Sequence, residues 1–162
     1  FVEDHSKNAN LGYFIQGSRV LLSEVQTKKV INKHKILFNI FSLGLKNRKN
    51  AIHSDFLARF FSAVGRNHRG IKTCNFSFYR EDCISINGFN NEFEGWGRED
   101  SDFAIRLMNN GIIRKTLKFN ALQYHLWHKE VSRKSLSSND EILKKVIKNN
   151  LIWCDNGINQ YL

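Results

Sequence analysis

The sequence contains no proline, one methionine and three cysteines, Cys74, Cys83 and Cys154. An odd cysteine count without CxxC spacing excludes a disulfide framework and a zinc knuckle, and fits a reducing cytoplasm. The missing proline, beside abundant Asn, Lys and Ile, reads as the compositional bias of an AT-rich bacterial genome. No apolar run approaches the ~18 to 20 residues of a membrane span. Phe1-Val2-Glu3-Asp4-His5 has neither the charged start nor the apolar middle of a signal peptide. Neither GxGxxG nor GxxxxGK[ST] occurs, which removes two familiar phosphate-cradling loops. The chain also lacks an initiating Met, so it is expected to be a piece of a longer protein.

What is present is enough for a packed core. The 162 residues fit one domain, and 41% hydrophobic content with 13 Phe is too apolar for disorder. The formal charge is +10, unevenly spread. Residues 1–50 carry nine Lys and Arg against three Asp and Glu, residues 51–100 six against seven, and residues 101–162 ten against five, so the middle is an acidic island in a basic chain. The flanking base suits an anionic partner, whether nucleic acid, lipid or phosphorylated substrate.

The pattern predicts an N-terminal helix ending near residue 10. A strand over Tyr13–Leu22 follows, broken at Gly17 by a bulge or close approach. Residues 26–50 read as a basic loop with short helices. Ser54-Asp55 caps a helix over 55–65, whose Phe56, Leu57, Phe60, Phe61 and Val64 recur at helical spacing, with Gly65 as its stop. A strand over Thr73–Tyr79, a helical turn over Arg80–Ile86 and an Asn87-Gly88-Phe89-Asn90 turn come next. A helix from Glu99 to Asn110 stops at Gly111. Strands over Ile112–Leu117 and Ala121–Leu126 and a helix over Asp140–Ile152 complete the reading. The mixture is α/β without regular alternation.

The acid gathers in Gly95-Trp96-Gly97-Arg98-Glu99-Asp100-Ser101-Asp102. The glycines permit a tight path that presents Trp96 as a flat platform. Sugars offer apolar C–H faces to such an indole, and a carboxylate beside it can hold hydroxyls or take a proton from one during attack. The alternative is a core Trp96 with Glu99, Asp100 and Asp102 placed for the helix dipole. A second group is Tyr124-His125-Leu126-Trp127-His128, whose two imidazoles read by themselves as one core and one surface position, with metal ligation as the alternative.

The ordered run of Asn75-Phe76-Ser77-Phe78-Tyr79-Arg80, Ile86-Asn87-Gly88-Phe89, Phe93 to Phe103, Arg106-Leu107 and Gly111 resembles the C-terminal galactosyltransferase-like region of bacterial family-two glycosyltransferases. It is similar also to the β-1,4-galactosyltransferase C-terminal domain. Phe1 to His5 and Phe14 to Val20 look like the segment that follows the metal-binding Asp-x-Asp in such enzymes. The resemblance implies the C-terminal part of a GT-A fold, a Rossmann-like mixed sheet flanked by helices, with the N-terminal nucleotide-binding half outside this chain. Residues 1–162 then form one partial domain, with a core motif region at 73–128 and a C-terminal helical extension at 129–162.

The implied activity is inverting transfer of a sugar from a nucleotide donor, a UDP-sugar, to a saccharide or lipid-linked saccharide, in surface polysaccharide or lipopolysaccharide synthesis. Asp100 would be the base and Glu99 would hold hydroxyls. Trp96, Gly95, Gly97, Asp102 and Arg19 would bind substrate. His125, with His128 as second choice, would bind Mn²⁺ or Mg²⁺ together with the absent Asp-x-Asp, so the chain alone is expected to be inactive. Lys46 to Lys49 and Lys144, Lys145 and Lys148 are expected at the surface, with peripheral contact to an anionic inner membrane. Cys74 is expected to pack. The competing reading is a non-catalytic carbohydrate-binding or scaffold domain. Scattered basic residues without a recognised motif exclude nucleic acid as the expected partner.

Overall fold

The computed structural model describes residues 1–161. Two small mixed sheets share the work of one. In the first, β1 (Tyr13–Gln16) runs parallel to β6 (Ile113–Thr116) and antiparallel to β5 (Phe76–Ser77), and β4 (Ala63–Gly65) closes the far edge on β6. In the second, β2 (Arg19–Leu22) lies between β3 (Leu45–Lys46), antiparallel, and β7 (Gln123–His125), parallel. The helices are α1 (Val2–Asn8), α2 (Glu24–Lys33), α3 (Asp55–Phe61), α4 (Arg80–Ser85), α5 (Glu99–Asn109) and α6 (Leu136–Asn149).

The expected single strand over Tyr13–Leu22 is thus two strands in different sheets, and Asn75 is the reason. A Cβ on Gly17 would fall 2.4 Å from the Asn75 amide oxygen. The Gly17 N–H donates to the Asn75 carbonyl at 2.9 Å, and Asn75 Nδ2 donates to the carbonyls of Ser18 and Ala121 at 2.7 Å. This buried amide wedges the chain from one sheet into the next, where only glycine fits.

The main core surrounds α5. Phe103, Ala104, Ile105, Leu107 and Met108 are all buried, packed with Phe14, Ile86 and, from α6, Leu143 and Val146. A helix buried almost all round must satisfy its polar side chains internally. Arg106 does so by donating to Asp102 Oδ2 at 2.8 Å and to the carbonyls of Ile86 and Gly88 at 2.6 and 2.7 Å, which pins the helix to the Asn87-Gly88 turn.

Other elements depart from their expected bounds. The helix at Asp55 is capped by the Ser54 hydroxyl, which accepts from Leu57 N–H, but it ends at Phe61 because the chain turns extended into β4. Its aromatic stripe does not enter the core: Phe56, Phe60, Phe61 and Val64 are all exposed, Phe60 by 70%. The expected strand over Thr73–Tyr79 is a 3₁₀ turn at Thr73–Asn75 followed by the two residues of β5. The stretch after residue 23 holds a ten-residue helix, α2, capped by the Ser23 hydroxyl. The last long helix begins at Leu136, before Asp140, and ends at Asn149, short of Ile152. Lys46, Arg48, Lys49, Lys144, Lys145 and Lys148 are exposed as expected, and no described helix is long and apolar enough to cross a membrane.

Candidate active site

The glycine-flanked indole is held in place by α6. Asn139, almost fully buried, donates through Nδ2 to the carbonyls of Glu94 and Gly97 at 3.1 and 2.8 Å. Gly95 and Gly97 adopt φ of 69° and 109°, and Ser135 and Leu136 crowd the space a Cβ would need. An Arg98–Asp140 ion pair closes the same seam. The motif therefore owes its shape to the helix that follows it by about 40 residues, a dependence that spacing alone does not reveal.

Trp96 emerges 42% exposed and lines a cleft of about 780 Å³ with Arg19, His125, Trp127, His128 and Arg133. The Arg133 guanidinium carbon sits 4.7 Å from the centre of the Trp96 ring, occupying one face of the platform. The open strand end of β7 delivers His125, and the loop beyond it delivers His128. Their Nε2 atoms are 3.2 Å apart.

Hydrogen bonding sets the tautomer of one imidazole. His128 Nδ1 lies 3.0 Å from the Lys129 carbonyl, which can only accept, so Nδ1 carries the proton and Nε2 is left bare when the ring is neutral. Burial, then the Arg19 charge, then His128, hold the His125 imidazole below its ordinary value of 6.5 and so favour its neutral form. Converging imidazole Nε2 atoms, when unprotonated, fit two positions of a divalent transition-metal site. Among the described residues no third His, Cys, Asp or Glu joins them. His128 thus turns its Nε2 toward that of His125.

The carboxylates are placed differently from Trp96. Asp100 accepts from the Thr73 backbone N–H at 3.0 Å and from the Thr73 hydroxyl. It is half-buried and does not line the cleft, and neither does Glu99. The connection to the cleft runs through the next residue, because the Arg19 guanidinium donates to Cys74 Sγ at 3.4 Å. Cys74 is therefore exposed, where packing was expected. Asp102, expected to touch substrate, is sealed at 0% exposure against Arg106. Burial pushes its carboxyl up while the Arg106 guanidinium pulls it down. Its helical position, one turn before Arg106, explains the correction: it faces the core and stabilises the Arg106 anchor.

Thr73 and Asn139 are the residues that sequence reasoning missed. Thr73 carries no motif signal beyond its place before Cys74-Asn75. Asn139 stands in a polar Ser137-Ser138-Asn139-Asp140 run that reads as surface.

The fold and cleft define an α/β domain with an exposed indole beside a pair of imidazoles. Residues 55–129, α3 through β7, match the family model described as the N-terminal domain of galactosyltransferase. No curated protein and no solved structure matches the chain. That stretch is similar to a galactosyltransferase domain, and glycosyltransferase activity, with a nucleotide-sugar donor and an acceptor, is what such a domain implies in general. The matched description names an N-terminal domain, so it does not carry the expected C-terminal placement.

Proposed function

We propose that the protein belongs to an inverting glycosyltransferase that moves a sugar from a nucleotide donor, a UDP-sugar, to a hydroxyl of a saccharide or lipid-linked saccharide. The observation that carries this reading is the single cleft shared by Trp96, Arg19, His125 and His128. The indole stacks on the acceptor ring, and Arg19 attracts the anionic donor. A divalent cation such as Mn²⁺ or Mg²⁺ held by His125 and His128 would supply charge neutralisation for the departing diphosphate. Asp100, oriented by Thr73, takes the proton of the attacking hydroxyl. Its two oxygens retain lone pairs beyond the two bonds to Thr73. The polymer is a bacterial surface polysaccharide or lipopolysaccharide, made at the cytoplasmic face of the inner membrane, where exposed Lys46, Lys49, Lys145 and Lys148 favour anionic lipid.

Because Asp100 lies outside the cleft lining, a second reading has support: a sugar-binding domain that uses Trp96 without chemistry. Thermal unfolding of the full-length protein, nucleotide-binding half included, with Mn²⁺ and a panel of nucleotide sugars separates the two. A ligand that binds the native state raises the midpoint in proportion to its occupancy. Stabilisation by one UDP-sugar supports transfer, and stabilisation by free saccharides alone supports the binding domain.

A further inference from the structure

A second cavity, of about 290 Å³, shares Arg19 with the Trp96 cleft. Arg19, Lys72, Arg114 and Lys118 converge on it, with Gln16 and Thr116 from the strand ends of β1 and β6. No carboxylate lines it, and among the described residues none of the four cations makes an ion pair. Arg114 is only 7% exposed. Its Nη1 donates to the carbonyls of Asn67 and Arg69 at 2.8 Å, while its Nε is buried without a partner, as is the Nε of Arg19 and the amide oxygen of Gln16. Four cations in one cavity repel each other, and burying a guanidinium without a counter-charge costs stability. The two guanidinium Nε donors, of Arg19 and Arg114, have no protein acceptor and suit an anion, whereas Gln16 Oε1 is an acceptor.

We infer that this cavity binds a phosphate group carried by the acceptor saccharide. A phosphate ester brings nearly two negative charges and several acceptor oxygens, matching a multi-cation cavity better than a single carboxylate. The lining holds no aromatic or aliphatic side chain on which a nucleoside base would rest, which separates it from the donor. Its position favours the acceptor: Lys72 and Cys74 flank Thr73, the residue that holds Asp100. A phosphate bound here anchors the acceptor next to the carboxylate that takes its proton. The acceptor assignment rests on the transferase reading; the anion site itself does not.

The test is calorimetric titration of the whole chain with inorganic phosphate and with a hexose 1-phosphate, at low ionic strength and without divalent metal. Saturable binding of both, with none of the free hexose, is expected. The Lys72→Ser/Lys118→Ser pair, both exposed and outside the core, should fold normally and weaken phosphate at least tenfold. Arg114→Gln should weaken it further, if it folds. Absence of saturable phosphate binding, or an unchanged affinity in the lysine pair, overturns the site. In the full-length protein, saturating UDP with Mn²⁺ should change phosphate affinity by no more than a few-fold, through the shared Arg19; competitive displacement of phosphate by UDP overturns the acceptor assignment. Phosphate binding in a full-length protein, nucleotide-binding half included, that binds no UDP keeps the anion site and removes the transferase reading instead.

Discussion

Thr73 donates twice to Asp100, once through its backbone N–H and once through its hydroxyl. The 3₁₀ turn at Thr73–Asn75 thereby fixes the carboxylate at the start of α5 to the same segment whose Asn75 separates the two sheets. The orientation of the proposed base and the split of the fold are one structural feature.

Removing the hydroxyl while keeping the shape isolates its contribution. Thr73→Val should lower kcat for transfer by roughly tenfold, the effect of one hydrogen bond to a charged group at about 1.5 kcal/mol. KM should change little, and Thr73→Ser should restore most of the rate. Steady-state kinetics of the three proteins in the full enzyme decide the point; a Val variant as fast as wild type rules out positioning by Thr73.

Arg133 covers one face of Trp96 and would compete with a sugar stacked there. An exposed cation–π contact is worth about 0.5 to 1 kcal/mol. Arg133→Ala should therefore tighten saccharide binding a few-fold, read as quenching of tryptophan fluorescence on titration. Weaker binding in the variant means that Arg133 holds the sugar rather than displaces it.

Asn139 holds the glycine-flanked loop through two carbonyls in a nearly sealed position. Asn139→Leu leaves both without a donor and should cost roughly 2 to 3 kcal/mol in urea unfolding, with loss of saccharide binding by Trp96. A variant of unchanged stability shows that the loop is held by other contacts.

Asp4 gives the protein an acid-sensitive joint. Burial raises its carboxyl, but the His53 imidazole at 3.1 Å and the Ala121 N–H at 2.8 Å outweigh it and hold the group below its ordinary 3.8. A folded value below the unfolded one means stability that is complete above pH 3.8 and lost as pH falls through the folded value. Asp4→Asn should lower stability at neutral pH and flatten the acid limb of a stability-versus-pH curve. A variant with the wild-type acid limb removes Asp4 as its source.

Much of the frame was legible in local chemistry. Ser54 announced a cap, Asn110-Gly111 a helix end, and Gly17 a close approach, because each depends on a residue's own backbone preferences. The phenylalanines of α3 misled because helical spacing shows only that they share a face, not that anything covers it. Asp102 misled for a related reason. It stands two positions from Asp100 on a first helical turn, and only the packing of α5 against the Asn87-Gly88 turn decides that one carboxylate stays near the surface while the other is buried. The imidazole pair and the indole were legible as chemistry, but their meeting in one cleft depends on β7 lying beside β2, a pairing of residues about 100 apart.

The central claim is that Asp100 accepts the acceptor's proton. Transfer by the full enzyme carrying Asp100→Asn, measured at saturating donor, tests it directly. Donor binding should persist while turnover falls by at least ~10²-fold, the lower end of what a placed base contributes. Turnover within a few-fold of wild type would contradict the account.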